Sequence, residues 1–340
     1  MMLLQRILIH IMQSSLAYRK EVNMELGLMK CAVVGTGVIG RGWMYVFSRA
    51  GCPTHIIDQD PDQTEKALDW FDITLGEDIK DGFITESEAD KCRSLVSDYT
   101  DLEEALSGVE YIQESGPEDL KIKHEIYVRA NETANPSAIL ASSTSAIDIN
   151  LIAEGLTGIA RCITAHPFNP PHIVPVVEVM ATEKTDPTVT KRAVDFLKRV
   201  GQKPIVMDYF LPGYLINRIQ AAVVREAVHL VNRGAASVED VDTLMSYGLG
   251  LRWALFGSFG INNTNADGGV REYYARYGKG YQAIMNDLDS TPPSFDPEMN
   301  ELIGKGVNDM LGDVTVAECC RWRDRLVRKI RKLKDEDPLA

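Results

Sequence analysis

The stretch KCAVVGTGVIGRG, residues 30–42, decides the fold of this chain. It opens with the apolar run KCAVVG, which is typical of a buried β-strand, and the helical pattern VIGRGWMYVFSRAG follows closely. The turn between strand and helix is GTGVIG, residues 35–40. Gly35 permits a tight turn, Gly37 lets an anionic group approach the backbone, and Gly40 lets the helix pack against the strand. The stretch therefore predicts a strand–turn–helix unit with an anion site at the start of the helix.

An acidic residue at the end of the next strand indicates which anion to expect. The second predicted strand, PTHIID, ends on Asp58, about twenty residues beyond the glycine turn. A carboxylate there accepts hydrogen bonds from the 2′-hydroxyl of an adenosine ribose and repels a 2′-phosphate, while the N–H groups of Val38 and Ile39 face the pyrophosphate. The pattern predicts NAD rather than NADP. The alternatives are FAD, although nothing later in the chain offers a flavin domain, and a glycine turn with no ligand.

Strand and helix signals alternate from this point to about residue 210. Apolar runs at VEYIQE, AILASS, RCITA, VPVVEVM and KPIVMD are separated by helical segments such as DLKIKHEIYVRANE. This alternation predicts an α/β domain of the Rossmann type, with a mostly parallel sheet and helices on both faces. Beyond it the pattern is helical: GYLINRIQAAVVREAVHLVNRG has apolar residues on both faces, which predicts a largely buried helix, and SVEDVDTLMSYG opens on a serine N-cap.

These patterns divide the chain into three parts. We predict a NAD-binding domain over 29–208 and a helical domain over 209–340. The segment 1–28 is expected to lie outside the fold, and a start codon placed upstream of Met24 or Met29 would explain it. It has neither the length of a membrane span nor the charge pattern of a signal peptide.

Charge and cysteine content narrow the class of protein. Lys and Arg number 36 against 49 Asp and Glu, and the net charge of −13 disfavours nucleic acid and anionic membranes as partners. The six cysteines are scattered, with no C-x-x-C pair and no histidine at zinc-like spacing. We therefore expect reduced thiols, a cytoplasmic protein and no metal site. An enzyme that acts on a small molecule fits this balance best.

A second motif supplies candidate chemistry. In AHPFNPPHIVPVVEV, residues 165–179, prolines hold the loop after His166 in essentially one shape, and Glu178 follows on the next apolar strand. Imidazole is the natural base for an alcohol proton near neutral pH, and a carboxylate can orient its second nitrogen. Ser145, just beyond the strand AILASS, and Asn217, early in the helix of PGYLINRI, are candidate donors to a substrate oxygen. The plainer alternatives are a structural histidine, a carboxylate paired with another cation, a turn cap and a helix end.

Three motifs in a fixed order carry a family resemblance. STS, then HPFNPP with a strand ending in VEV, then PGYLINR resemble the 3-hydroxyacyl-CoA dehydrogenase family, from residue 29 to about residue 260. The resemblance implies that His166 is the base and Glu178 its partner. It also implies that Ser145 and Asn217 bind the substrate oxygen, and that an L-3-hydroxyl is oxidised to a 3-keto group with NAD.

The same resemblance carries two further expectations. It implies a homodimer built through the helical domain, which would then serve both substrate binding and dimerisation. It also places Glu114 and Lys121, in YIQESGPEDLK, near positions at which the family contacts the cofactor.

Two departures from the acyl-CoA enzymes bear on the substrate. Between Asp58 and Asp90 there are twelve acidic residues against two lysines, a poor surface for the phosphates of CoA, although it could equally be a solvated face. The segment GLGLRWALFG, residues 248–257, resembles the branch with λ-crystallin, L-gulonate 3-dehydrogenase and carnitine dehydrogenase, which implies a small free 3-hydroxy acid. Arg252 could pair with its carboxylate or fix a subunit interface. The alternatives are an L-3-hydroxyacyl-CoA such as 3-hydroxybutyryl-CoA, and a non-catalytic NAD-binding crystallin-like protein.

Overall fold

The computed structural model of the protein describes residues 28–337, and the contacts divide the chain after Tyr214 into two units. The predicted extension 1–28 lies, apart from its last residue, outside the described residues. The first unit holds the strands and the second is helical, and each is described by itself below.

An eight-stranded sheet forms the centre of the first unit, with strand order β3-β2-β1-β4-β5-β6-β7-β8. All neighbouring pairs in this sheet are parallel except β6 and β7, which are antiparallel. The α/β fold with a mostly parallel sheet is thus confirmed. The strands are β1 (Cys31–Val34), β2 (Thr54–Ile57), β3 (Val96–Tyr99), β4 (Tyr111–Glu114), β5 (Ile139–Ser142), β6 (Cys162–Pro167), β7 (Val176–Ala181) and β8 (Lys203–Met207).

The helices of the first unit connect these strands, in the manner of βαβ units. They are α1 (Val38–Ala50), α2 (Pro61–Lys80), α3 (Glu86–Ser94), α4 (Leu102–Leu106), α5 (Leu120–Thr133), α6 (Ile149–Ile152) and α7 (Pro187–Arg199), with a short 3₁₀ turn at Ile159–Arg161. Helix α1 ends as predicted at Gly51, which has φ 91° and donates its N–H to the carbonyls near the end of the helix.

A cluster of aromatic rings fills part of the core beside the sheet. Phe47 of α1 lies 5.2 Å from the ring of Trp43 and 5.8 Å from the rings of Tyr111 on β4 and Phe196 on α7. All four side chains are buried. Truncating such a ring costs about 3–5 kcal/mol, because a cavity remains where it packed. The core therefore fixes α1, and with it the glycine turn, against β1 and β4.

Strand β3 is an element that the apolar pattern did not predict. Its residues, VSDY, are polar for the most part and half-buried or exposed, because the strand lies at the edge of the sheet. It pairs in parallel with β2, and the ring of Tyr99 packs 4.3 Å from that of His55.

The second unit consists of helices within the described residues. They are α8 (Tyr214–Asn232), whose first residue belongs to the first unit, α9 (Val238–Thr243), a π-helical turn (Leu244–Leu249), α10 (Gly250–Leu255), α11 (Ser258–Asn263), α12 (Gly269–Asp287), α13 (Pro297–Leu311) and α14 (Val316–Glu336). Ser237 caps α9 as predicted, by accepting from the N–H of Asp240. The expectation that α8 is largely buried is wrong for the single chain, because Ile219 and Val224 are exposed. No helix among residues 28–337 is both long and apolar enough to cross a membrane.

Candidate active site

The glycine turn between β1 and α1 requires glycine at two of its three glycine positions, Gly35 and Gly40. Gly35 has φ +93°, and a Cβ there would lie 2.7 Å from the backbone of Ser115. A Cβ on Gly40 would lie 1.8 Å from the carbonyl oxygen of Gly35, so the helix could not begin so close to the strand. Around Gly37 there is open space, with nothing within 4 Å of an added Cβ. The turn is therefore tight at its ends and open in its middle, where Val38 and Ile39 begin α1 with free N–H groups.

A cavity of about 820 Å³ adjoins this turn, at the carboxyl ends of β1 to β4. Gly35, Gly37, Asp58, Tyr99 and Ser115 are among its lining residues. Its volume lies within the range of cofactor sites, and its place is where doubly wound sheets bind dinucleotides. The open backbone at Gly37 and the carboxylate of Asp58 at the same cavity fit the pyrophosphate and a ribose.

The carboxylate of Asp58 is held in place by the backbone around it. One oxygen accepts from the N–H of Thr36 at 2.6 Å, and the other accepts from the N–H of Asp60 at 3.1 Å. These bonds tie the end of β2 to the glycine turn and leave the carboxylate half-buried at the cavity. A fixed negative charge at this point opposes a second one on the ribose.

A buried ion pair lies beneath the loop that follows β4. Glu114 and Lys123 are each 1% exposed, and the ammonium lies 3.0 Å from Oε1 of Glu114. The same carboxylate accepts from the N–H of Gly116 at 2.7 Å and from the hydroxyl of Ser142 at 2.6 Å. Burial raises the pKa of Glu114, although Lys123 and these bonds oppose the rise. The pair thereby joins the end of β5 to the loop after β4.

Of the predicted cofactor residues, Glu114 belongs to this network and Lys121 does not. The side chain of Lys121 is 86% exposed and reaches Glu125 at 4.0 Å, while Lys123 holds the buried position. Lys123 was not among the residues predicted from the sequence, yet a signal was present. Lys123 shares one face of α5 with Ile126, Tyr127 and Ala130, at the spacing of a buried helical stripe.

Ser145 lies in a loop that the side chain of Glu118 organises. Glu118 Oε1 accepts from Thr144 Oγ1 at 2.6 Å and from the N–H groups of Ser145 and Ala146 at 2.9 Å each. Burial works against the charge on Glu118, but these bonds and the ammonium of Lys123 outweigh it and lower the pKa. The loop is thus held in place by the carboxylate of Glu118, a residue that was not predicted from the sequence.

His166 and Glu178 face each other directly across the antiparallel pair β6–β7. Nδ1 of His166 lies 2.9 Å from Oε2 of Glu178, and both side chains are buried. Because an ionised carboxylate can only accept, Nδ1 carries the hydrogen and Nε2 is left with a lone pair. Within the described part of the chain, Nε2 has no hydrogen-bond partner. The arrangement is that of an oriented base with its accepting nitrogen available.

An aromatic ring that the sequence did not indicate also contacts the histidine. Tyr214 stacks on His166, with ring centroids 5.0 Å apart and an angle of 23° between the planes. The contact joins residues far apart in the chain, and no local pattern in PGYLINR predicts it.

The other predicted substrate residues belong to the second unit. Asn217 is half-buried on α8, and Arg252 on α10 is exposed and donates from Nη2 to Oδ1 of Asn265 at 3.1 Å. Their roles stay predictions. Among residues 28–337 no cluster of three or more His, Cys, Asp or Glu side chains is arranged to hold a metal ion.

The Rossmann-type sheet, the glycine turn and the oriented histidine together define a NAD-dependent dehydrogenase. Family models make the class narrower: residues 30–209 match "3-hydroxyacyl-CoA dehydrogenase, NAD binding domain", and residues 213–292 match the C-terminal domain of the same family. The chain belongs to the 3-hydroxyacyl-CoA dehydrogenase family. Its cofactor is accordingly NAD, and it is an oxidoreductase.

Individual relatives cover nearly the whole chain. A λ-crystallin homolog of Bos taurus is 33% identical over 314 residues, which are 90% of this chain and 96% of the relative. An L-carnitine dehydrogenase of Oceanobacillus iheyensis is 31% identical over 310 residues, 91% of this chain and 99% of the relative. The structure of 5-formyl-3-hydroxy-2-methylpyridine 4-carboxylic acid 5-dehydrogenase, a NAD⁺-dependent dismutase, superposes with a TM-score of 0.73 at 25% identity, covering 91% of this chain and 98% of that one.

Proposed function

We propose that this protein oxidises the 3-hydroxyl of a small L-3-hydroxy acid, of the gulonate or carnitine kind, to the 3-keto acid. The observation that carries the proposal is the buried hydrogen bond between His166 and Glu178, which leaves Nε2 as the acceptor. NAD, when bound, supplies the acceptor for the hydride. The protein itself has to bind the acid, accept the proton of its 3-hydroxyl and keep other proton donors away from the site.

The proton is assigned to His166. As Nε2 accepts it, the ring becomes a cation whose other nitrogen already donates to Glu178, so the new charge forms beside an existing negative one. Glu178 needs no movement to do this, because strand pairing places it opposite the histidine. Ser145 and Asn217 are proposed to donate hydrogen bonds to the substrate oxygen.

The cofactor site is assigned to the glycine turn and the cavity beside it. Gly35 and Gly40 shape the turn and Gly37 leaves its middle open, where the N–H groups of Val38 and Ile39 are proposed to bind the pyrophosphate. Asp58 is proposed to bind the adenosine ribose. The buried Glu114 holds the loop of Gly116, which lines the same cavity. Lys121, exposed and directed at Glu125, receives no support for a cofactor contact.

Charge favours a free acid over a thioester. The acidic segment 58–90 forms α2 and α3, and its arginine neighbour Arg93 is already paired with Asp72 at 2.8 Å and with Asp90 at 2.9 Å. A CoA phosphate would meet a surface on which twelve acidic residues outnumber the two exposed lysines, Lys66 and Lys80. The L-carnitine dehydrogenase and the pyridine carboxylic acid dehydrogenase are named for free acids, which agrees with this choice. Arg252 is the proposed ligand of the carboxylate.

The family description itself favours one other substrate, an L-3-hydroxyacyl-CoA. A third possibility, a structural protein that binds NAD without turnover, is suggested by the λ-crystallin homolog. Against it stands the oriented His166, since a purely structural role has no use for a buried base with an available nitrogen.

A panel of substrates decides between the three. NADH formation is measured with L-gulonate, L-carnitine, 3-hydroxybutyrate and 3-hydroxybutyryl-CoA. The proposal predicts that kcat/KM for a free acid exceeds that for the thioester. A preference for 3-hydroxybutyryl-CoA would overturn the free-acid assignment, and no turnover by a protein that still binds NADH would favour the structural alternative.

We also propose that the protein is a homodimer through its helical domain and that it is cytoplasmic. Large apolar side chains of the second unit are exposed in the single chain, among them Tyr247 at 78% and Phe259 at 77%. A surface of this kind is commonly covered by a partner. Sedimentation of the purified protein at several concentrations tests the dimer, and a monomer at all of them would contradict it.

A further inference from the structure

Tyr214 occupies an unusual position for a tyrosine. Its side chain is fully buried, and its backbone has φ 49°, in the left-handed region that residues with a Cβ rarely adopt. Strain of this kind persists where the surrounding structure imposes it, and it is frequent beside active sites. Here the imposed conformation turns the ring onto the face of His166.

The stacking geometry matters because of what happens to the histidine during the reaction. The face of an aromatic ring carries negative potential and attracts a cation placed over it, more strongly where water is excluded. The neutral imidazole gains little from this face, whereas the imidazolium gains more. At 5.0 Å and 23°, the ring of Tyr214 faces the imidazole, while Glu178 lies at its edge. The protonated ring would therefore meet negative potential from two directions.

The hydroxyl of Tyr214 makes a second connection, to the loop of Ser145. It donates to the carbonyl oxygen of Ile147 at 3.3 Å, and with its hydrogen so used it accepts from Thr164 Oγ1 at 3.4 Å. Burial raises the pKa of Tyr214 to about 12, so the hydroxyl keeps its hydrogen throughout the physiological range. The loop is thus fixed by Glu118 at residues 144–146 and by Tyr214 at Ile147.

We propose that Tyr214 is a positioning residue for the reaction, whose ring stabilises the protonated form of His166 and whose hydroxyl holds the loop of Ser145. The inference rests on the proposed role of His166 as the base. Tyr214 is also the first residue of α8, the helix that carries Asn217. Within the first unit, the side chain of Tyr214 thus contacts both His166 and the loop of Ser145.

The first experiment measures the ionisation of His166 without any substrate. Histidine labelled with ¹³C at Cε1 is titrated by NMR in the NAD-bound protein, and the His166 signal among the six histidines is the one that His166→Asn removes. Tyr214→Leu is expected to move its midpoint to lower pH by about half a unit. Tyr214→Phe keeps the ring and is expected to leave the midpoint in place. Tyr127→Leu is the matched control, since Tyr127 is an equally buried tyrosine whose hydroxyl binds Ile163 instead.

A second experiment keeps the shape of the site and changes the potential of the ring. Fluorinated phenylalanines at position 214 withdraw electrons from the ring face, so the midpoint for His166 should fall step by step with added fluorine. This series covers the case in which Tyr214→Leu fails to fold. A midpoint that stays constant across Phe and its fluorinated forms would overturn the role of the ring.

Steady-state kinetics distinguish the role of the Tyr214 ring from that of its hydroxyl. They are measured with the acid that proves active in the substrate panel. Tyr214→Phe is expected to raise KM several-fold, because the loop of Ser145 loses its tether, with the acidic limb of the kcat/KM profile unmoved. An unchanged KM would refute the role of the hydroxyl. If instead His166→Asn retains the acidic limb of the kcat/KM profile, His166 is wrongly assigned as the base. No result from the Tyr214 variants alone would give that outcome, so the two assignments fail in different ways.

Discussion

Two buried pairs of a carboxylate and a basic side chain lie in the first unit, and they differ in what the basic partner has left to offer. Lys123 lies 3.0 Å from Glu114, and its N–H groups are directed at both oxygens of that carboxylate and at the carbonyl of Gly116. His166 lies 2.9 Å from Glu178 through Nδ1, and Nε2 keeps a lone pair. Both pairs are removed from water, but only in the second does the basic side chain have a nitrogen at which a proton can be gained.

The comparison shows why a buried ion pair by itself is weak evidence for catalysis. Desolvation costs both pairs several kcal/mol, and each is tolerated because hydrogen bonds compensate it. In the lysine pair hydrogen bonding uses every N–H of the ammonium, so Lys123 has no group left for chemistry. In the histidine pair it stops at one nitrogen, and the second is the group we assign to the reaction. Breaking the first pair should therefore cost stability, and breaking the second should cost rate.

The largest effect is expected for His166→Asn. Without the imidazole no side chain accepts the hydroxyl proton, so kcat should fall by about 10³- to 10⁴-fold. The thermal midpoint should change little, because asparagine still offers an N–H donor to Glu178. Steady-state rates and thermal unfolding of the same preparation check both statements, and the acidic limb of the pH–rate profile should disappear.

A matched histidine variant controls for this experiment. His124 is half-buried in the same unit and its Nδ1 bonds to the carbonyl of Ile152, outside the proposed site. His124→Asn should keep a rate close to that of the wild type. If His166→Asn kept a wild-type rate as well, the difference between the two pairs would have no catalytic meaning.

The next largest effect is on stability and belongs to Lys123→Met. Removing the ammonium leaves Glu114 buried without its cation, which costs about 3–5 kcal/mol of unfolding free energy. The double variant Glu114→Gln with Lys123→Met should recover part of that loss, because no uncompensated charge remains. Urea unfolding of the single and double variants measures the recovery.

Lys121→Met is the control for that loss, two residues away on the same helix. Its ammonium is exposed and 4.0 Å from Glu125, so its removal should change the unfolding free energy by less than about 0.5 kcal/mol. Equal losses in the two lysine variants would contradict the view that burial, and not charge, distinguishes them.

Lys121 and Lys123 also show which features could not be predicted from the sequence. Apolar runs predicted most strands correctly, since a central strand is buried on both faces, whereas the polar edge strand β3 gave no such signal. Which lysine of YIQESGPEDLKIK points inward depends on the residue at which α5 begins. Asp119 caps that helix and sets the phase that buries Lys123.

Pairs and stacks across the fold were predictable to different degrees. His166 and Glu178 lie on consecutive strands, so simple antiparallel pairing was enough to bring them together. Two further strands and α7 separate His166 from Tyr214 along the chain, and no local sequence pattern predicts that the two rings meet. Glu118 was hidden for the same reason, because its partners follow the next strand.

A smaller loss of rate is expected for Glu178→Gln. The amide can donate to Nδ1 instead of accepting from it, which places the hydrogen on Nε2 and removes its lone pair. We expect kcat to fall by about 10²-fold, with KM for the acid nearly unchanged, because the substrate contacts stay in place. Stopped-flow measurement of NADH formation in a single turnover tests this. A higher KM for the acid with kcat unchanged would contradict an orienting role for Glu178.

The smallest effect concerns the two carboxylates around Lys123, whose pKa values move in opposite directions. The pKa of Glu118 is lowered in the folded protein, so its contribution to stability is complete above its ordinary value of 4.5 and is lost as the pH falls through the lower one. That of Glu114 is raised by burial, so its contribution is present at low pH and declines as the pH rises. Because the side chain of Glu118 is 39% exposed, Glu118→Gln should cost less than about 1 kcal/mol near neutral pH. That difference from the wild type, measured by urea unfolding over a series of pH values, should vanish in acid. If it stayed constant instead, the loop of Ser145 would depend on the shape of Glu118 and not on its charge.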